Sequence, residues 1–249
     1  MRVQIISFAI GVFLSSQCID GAAFVNQSPK VSAFSGALPN GKSQSSTSLF
    51  ARCGSMSAKP IGIGSAAPAT VITNVDLEAI VETSDEWIQS RTGIAQRRVL
   101  LDGEQVRDLA IRASKQALAM AKCDAKDIDI VICATSSPDD IFGDAPSIAA
   151  ELGCTTDTLA FDLTAACSGF LFGTVTASKY LSAPNTETQR ALVIGADALS
   201  RWVDWDDRNS CILFGDGAGA MVLESTETPG VLGYAAHSNG GGYESLNCG

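Results

Sequence analysis

Phe161 to Gly173, FDLTAACSGFLFG, passes from a strand-like run through two alanines and a cysteine into a run of helical character. The first turn of a helix carries unpaired backbone N–H groups and the positive end of the macrodipole, and both favour thiolate over thiol. A strand, a sharp turn through small residues and a nucleophile at the helix start is also the geometry of the nucleophile elbow. Cys167 is therefore a candidate nucleophile. The competing reading of the same residue is a small apolar filler of the interior.

Working outward, residues 158–164 (TLAFDLT) read as a strand and 167–182 as a helix, followed by a second apolar strand at 190–199 (RALVIGADAL). Upstream, 128–136 (IDIVICATS) is a continuous apolar run, as expected of a strand covered on both faces. Residues 144–153 read as a helix. Residues 104–122 place Val106, Leu109, Ala110, Ala113, Ala117 and Ala121 on one face of a longer, amphipathic one. Nearer the start, 60–68 (PIGIGSAAP) is a short strand ending in turn residues. Thr73 and Asp76 mark the start of one short helix, while Thr83 with Glu86 as capping box and Gly93 as stop bound another. The alternation predicts an α/β layered fold with a largely parallel sheet. Toward the end, 210–225 (SCILFGDGAGAMVLES) reads as a hairpin or tight bend around a Gly-rich centre. The stretch from Gly230 begins one more strand.

The chain has 249 residues, 46% hydrophobic and 18% charged, a composition that suits a globular protein with a sizeable core. Its net charge of −10 argues against nucleic acid as a partner, because an acidic surface repels phosphates. The eight cysteines (18, 53, 123, 133, 154, 167, 211 and 248) form no CxxC pair, so neither a zinc site nor a redox motif is signalled. Residues 1–23 have the form of a secretory signal peptide, too short for a membrane span of about 20 apolar residues. Residues 24–57, rich in Ser and Ala and without Asp or Glu, have the composition of an organelle transit peptide. The tandem resembles the bipartite presequence of algal plastids, with cleavage before Phe24. The expected location is thus the plastid stroma, with no membrane segment in the mature form. The alternative is a secreted protein with a linker, which the unpaired cysteines oppose.

Other chemical candidates are weaker. His237 is the sole histidine and lies in a Gly-rich stretch, where a structural loop role is expected. GIGSAAP and GDGAGA lack the GK[ST] ending of a phosphate loop and read as turns and close approaches of the backbone. Asp139 and Asp140 have no accompanying ligand cluster, so a solvated loop is expected and no metal.

Three stretches carry a resemblance: TSDEWIQSRTGI (Thr83–Ile94), FDLTAACSGF (Phe161–Phe170) and DDRNSCILFGDGAGAMVL (Asp206–Leu223). They are similar, in order and in detail, to the signatures of β-ketoacyl-acyl-carrier-protein synthase III, the condensing enzyme that starts type II fatty acid synthesis. The resemblance runs from about residue 58 to the end and marks 58–249 as its thiolase-like domain. It implies the thiolase-like fold: a first βαβαβαββ half plus the start of a second, within a five-layered αβαβα whole, working as a homodimer. It implies acetyl-CoA and malonyl-acyl-carrier-protein as substrates, with no cofactor or metal beyond the CoA thioesters. By the resemblance, Cys167 takes the acetyl group as a thioester, and its own N–H contributes to the oxyanion hole. Trp87 and Arg208 sandwich the CoA adenine, Arg91 supports the phosphates and Thr83 sits beside the adenine. Phe142 reaches the partner subunit's acyl pocket, and Phe214 lies close to the thiol.

The family's catalytic His and Asn come from its second half, and neither His237 nor any asparagine here matches them. The sequence therefore reads as a fragment of the full enzyme. Two alternatives stay open: a non-catalytic paralogue that binds CoA or pairs with a full-length subunit, and another thiolase-superfamily enzyme. The set of Trp87, Arg91 and Arg208 weakens the second.

Overall fold

The computed structural model describes residues 55–184, 186–238 and 240–241. The expected signal segment, residues 24–54 of the expected transit segment, and Cys18, Cys53 and Cys248 lie outside the described residues; of residues 55–57, the end of that transit segment, Met56 is 1% exposed and pairs with Val231. Among the described residues there are seven strands: β1 (Ala58–Ala66), β2 (Thr70–Thr73), β3 (Gln96–Val99), β4 (Ile130–Ala134), β5 (Leu159–Leu163), β6 (Arg190–Ala198) and β7 (Asp216–Ser225). The short β2 and β3 pair antiparallel as a separate ribbon, and the other five form one sheet in the order β1-β7-β6-β4-β5. Five α-helices accompany them: α1 (Asn74–Glu78), α2 (Asp85–Thr92), α3 (Val106–Ala121), α4 (Ala145–Leu152) and α5 (Gly169–Leu181).

The sheet is mixed rather than largely parallel. β4 runs parallel to β5 and β6, whereas β7 runs antiparallel to both β6 and β1. The Gly-rich 215–219 stretch is not the centre of a hairpin, since Asp216 to Ser225 is one continuous strand. Its small residues fit because β7 lies between two partners and pairs with Gly64 and Ser65 of β1 on one side and Gly195 and Ala196 of β6 on the other. The strand expected from Gly230 is reduced, among the described residues, to one bridge between Val231 and Met56.

Every residue of β4 is buried, which accounts for its unbroken apolar run. The crossover β4–α4–β5 steps outward to the sheet edge, and β5–α5–β6 steps back across β4. Right-handed crossovers in opposite directions must lie on opposite faces. Accordingly α3 and α4 pack on one face, with Leu109, Val131, Ile148 and Leu192 in their core. On the other face α5 packs Ala177 and Leu181 against Ile132, Val193 and Leu223. All the core-facing positions expected for α3 are buried except Ala121, which is half-buried. α3 approaches β1 so closely that a Cβ on Gly62 or Gly64 would meet the carbonyl oxygens of Ala117 and Ala113.

The caps follow the expected chemistry with one shift of register. Thr73 and Asp76 form a reciprocal capping box at α1: the Asp76 backbone N donates to Thr73 Oγ1 at 3.2 Å, and the Thr73 backbone N donates to Asp76 Oδ2 at 2.8 Å. At α2 the cap is Ser84, not Thr83: Ser84 Oγ accepts from the Trp87 N–H at 3.1 Å. The Thr83 hydroxyl is buried without a hydrogen-bond partner. Gly93 ends α2 at a φ of 72°, a left-handed stop that glycine adopts without strain.

Candidate active site

The parallel strands β4, β5 and β6 end on the same side, where β1 also ends and β7 begins. In open α/β sheets ligands bind outside the carboxyl ends of the strands. The residues to which the resemblance gave roles hang from this end. Thr83, Trp87 and Arg91 lie in the excursion after β1, and Phe142 in the β4–α4 loop. Cys167 lies in the β5–α5 turn, and Arg208 and Phe214 in the β6–β7 connection.

Cys167 sits in a one-turn 3-10 helix, Ala166–Ser168, which runs directly into α5 at Gly169. It therefore stands just ahead of the α-helix rather than within its first turn. The preceding residue, Ala166, is held at a φ of +46°, in the left-handed region that a side chain avoids. Such strain at a strand–turn–helix junction is the backbone signature of a nucleophile elbow. Gly169 makes the turn possible, because a Cβ there would lie 3.1 Å from the Ala134 Cβ. Cys167 is solvent-exposed, while Cys133 and Cys211 are buried and Cys123 and Cys154 half-buried. Loss of solvation pushes all four of those thiols up from their ordinary range.

The second feature is built around Trp87. The Arg208 guanidinium carbon lies 4.3 Å from the centre of its ring, and that of Arg91 lies 4.4 Å away, both at cation–π distance. Arg91 reaches the indole because it lies one turn further along α2. Arg208 comes from the far end of the sequence and anchors by donating from Nη1 to the Glu82 carbonyl at 2.8 Å. Beneath them Leu77, Ile88, Cys211 and Ile212 form a separate buried cluster, with Trp87, Val203 and Trp205 packed on it. Ile88 is the one buried residue of α2, so it fixes the rotation of the helix and with it the aim of Trp87.

A polar network inside this unit had no signal in the sequence. Arg97, on β3 and 5% exposed, donates to the Ile72 carbonyl, to Asn74 Oδ1 and to the Ile212 carbonyl at 3.3, 2.9 and 3.2 Å. Asn74, 1% exposed, donates in turn to Asp85 Oδ1 at 2.8 Å and to the Ile94 carbonyl at 2.7 Å. An arginine in QRRV reads as a surface residue of a strand. Only the tertiary fold brings the carbonyls of Ile72 and Ile212 to it.

The β4–α4 loop carries Ile141 and Phe142, which are 91% and 94% exposed. The loop is itself fixed by carboxylates. Asp162 of β5 accepts from the N–H groups of Asp144 and Ala145 at 2.9 and 2.7 Å, and Asp144 Oδ2 accepts from the Asp139 N–H at 2.7 Å. Asp139 is not a solvated loop residue: it pairs with Arg201 at 2.8 Å and accepts from the Arg107 N–H. Asp140 accepts from the Phe142 N–H at 2.8 Å. Phe214 is 37% exposed. His237 is exposed in an irregular segment. Among the described residues no cluster of His, Cys, Asp and Glu is arranged to hold a metal, and no helix is long and apolar enough to cross a membrane.

Known proteins resemble this chain in sequence and fold. Residues 161–240 match the family model of 3-oxoacyl-[acyl-carrier-protein] synthase III. Over 187 residues the chain is 56% identical to the β-ketoacyl-[acyl-carrier-protein] synthase III of Synechococcus sp. (strain WH7803), a match covering 75% of this chain and 55% of that protein. It is 55% identical over 186 residues to the protein of the same name from Trichormus variabilis (strain ATCC 29413 / PCC 7937), covering 75% of this chain and 56% of the relative. Among solved structures, the 3-oxoacyl-[acyl-carrier-protein] synthase III of Aquifex aeolicus VF5 superposes with a TM-score of 0.65 at 43% identity, over 69% of this chain and 55% of that one. The described fold is thus thiolase-like, and the chain spans about 55% of the length of the curated relatives it matches.

Proposed function

We propose that this chain, a member of the β-ketoacyl-[acyl-carrier-protein] synthase III family, accepts an acetyl group from acetyl-CoA on Cys167 as the first step of a decarboxylating condensation with malonyl-acyl-carrier-protein. The observation that carries this reading is the exposed cysteine on a strained strand–turn–helix junction, at the same end of the sheet as an indole flanked by two guanidiniums.

In the transfer step the Cys167 thiolate attacks the thioester carbonyl carbon, and the resulting oxyanion takes hydrogen bonds from backbone N–H groups that include its own. The carbon–sulfur bond to CoA then breaks, CoA leaves as a thiolate that takes up a proton, and Cys167 keeps the acetyl group. Trp87 and Arg208 hold the adenine between them. The planar guanidinium and the indole face are both suited to stacking, and Arg91 adds positive charge for the phosphates. Thr83 borders the adenine. At 4.3 Å the two planes leave no room for an intervening ring, so Arg208 moves outward as adenine enters. Phe214 lines the acyl site.

Phe142 fits a role across a homodimer interface, since neighbouring side chains as apolar as Ile141 and Phe142 stand almost wholly in solvent on an otherwise fixed loop. The step assigned to Cys167, Trp87, Arg91 and Arg208 is acyl transfer. Residues 1–54, ahead of the buried Met56, fit a plastid-targeting role, which a fluorescent fusion of that segment would test by its location. The central test is incubation with acetyl-CoA labelled in the acetyl group. Label is expected on the protein and absent from Cys167→Ala, and equal labelling of both would refute the assignment.

A further inference from the structure

We infer that Arg97 is a positioning residue for the Trp87–Arg208 clamp: its buried guanidinium ties the segment that bears Arg208 to the helix that bears Trp87, and so sets the width of the slot between them. The inference rests on the reading of that slot as the site of the CoA adenine.

The connections are continuous. Asn74 grips α2 at both ends, through Asp85 at its first residue and through Ile94 just past its Gly93 stop. Arg97 donates to the Asn74 side chain from one edge of its fork, and the same nitrogen reaches the carbonyl of Ile212, four residues beyond Arg208. The other nitrogen holds Ile72 at the end of the ribbon. Two segments far apart in sequence, 72–74 and Ile212, thus meet on one planar group, which a lysine ammonium could not span in the same directions.

The arrangement is costly for the fold alone. Among the described residues no carboxylate lies in ion-pair range of Arg97, and its Nε has no hydrogen-bond partner. A buried charge paired only with neutral acceptors contributes little net stability compared with an apolar residue of similar volume. What the fork supplies is a fixed distance between α2 and the Arg208 segment. The apolar contact of Ile88 with Cys211 and Ile212 runs parallel to it but is non-directional.

The test compares two acetyl donors, acetyl-CoA and acetyl-pantetheine, the second of which has no adenine to place. Labelling of Cys167 is followed in the wild-type chain, in Arg97→Lys and in Asn74→Asp, which keeps an oxygen toward Arg97 but removes the amide donor to Asp85 and Ile94. Both substitutions are expected to raise the half-saturating acetyl-CoA concentration about tenfold, as the loss of a hydrogen bond to a charged group implies. With acetyl-pantetheine the variants should match the wild type within about twofold. The Arg97 assignment is overturned if the variants use acetyl-CoA as the wild type does, or if they lose both donors in equal measure. A wild-type chain that saturates with both donors alike would instead refute the adenine slot itself.

Discussion

Arg208 stacks on Trp87 across 121 positions of sequence (208 − 87), with its guanidinium carbon 4.3 Å from the ring centre and its Nη1 bound to the Glu82 carbonyl. The two groups are in direct contact, so on the proposed reading an adenine placed between them exchanges one stacking partner for another.

Removing either plane should weaken CoA binding selectively. Stacking of a base on an aromatic face is worth about 1–3 kcal/mol by alanine substitution. Trp87→Ala is expected to raise the half-saturating acetyl-CoA concentration by about tenfold or more, with Arg208→Ala smaller. Isothermal titration with CoA, and with pantetheine as the adenine-free control, measures both. Equal losses for the two ligands would refute stacking as the cause.

Thiol chemistry should be confined to one of the cysteines described. Cys167 is exposed, whereas burial pushes the thiols of Cys133 and Cys211 up and hides them. Limiting iodoacetamide near neutral pH, followed by peptide mass mapping, should modify Cys167 ahead of Cys123, Cys133, Cys154 and Cys211. Prior incubation with acetyl-CoA should protect it.

The Asp144 carboxyl is pushed above the ordinary carboxylate range, first by loss of solvation and then by the nearby charges of Asp139 and Asp162. Between its unfolded and folded pKa values the folded state holds more protons than the unfolded one, so this group's contribution to stability falls as pH rises through that interval. Asp144→Asn keeps an oxygen for the Asp139 N–H and has no proton to lose. Thermal melts from about pH 4 upward, near the unperturbed Asp value, should show the variant's melting temperature rising relative to the wild type's as pH increases through that interval.

Close packing of α3 on β1 should tolerate no added methyl. Gly64→Ala would drive a Cβ into the Ala113 carbonyl oxygen and should destabilise the fold by about 1–3 kcal/mol, the usual cost of overpacking. Urea unfolding would read the change as a shifted midpoint with an unchanged slope. Gly103→Ala is a different case: nothing lies near its added methyl, but its φ of +87° makes the change a backbone effect.

The association state should respond to the loop tip. Phe142→Asp places a charge where Phe142 is 94% exposed, so the monomer fold is expected to keep its melting temperature. A protein that sediments as a dimer in the wild type should sediment as a monomer in the variant. An unchanged sedimentation coefficient would remove Phe142 from the interface.

Much of this was legible from local chemistry. The periodicity of α3, the unbroken apolar run of β4, the box at Thr73 and the Gly93 stop depend on neighbours within a turn or along one strand, and all four hold. Ser84 displaced Thr83 as the cap of α2 because either residue could serve by type. Which one points at the Trp87 N–H depends on where Ile88 is buried. GDGAGA read as a bend because glycines mark turns, yet it lies inside a strand whose two neighbours supply the hydrogen bonds a bend would otherwise take up.

The sequence by itself determined most of the elements and the small residues at the cysteine turn. Those follow from short-range sterics, caps and the burial demands of single segments. The tertiary structure alone decided that Arg97 is buried, that Asp139 is an ion-pair partner of Arg201, and that Trp87 meets Arg208. Each of these depends on which distant segments the sheet order brings to one end, and a charged side chain looks the same in sequence whether water or a carbonyl oxygen finally satisfies it.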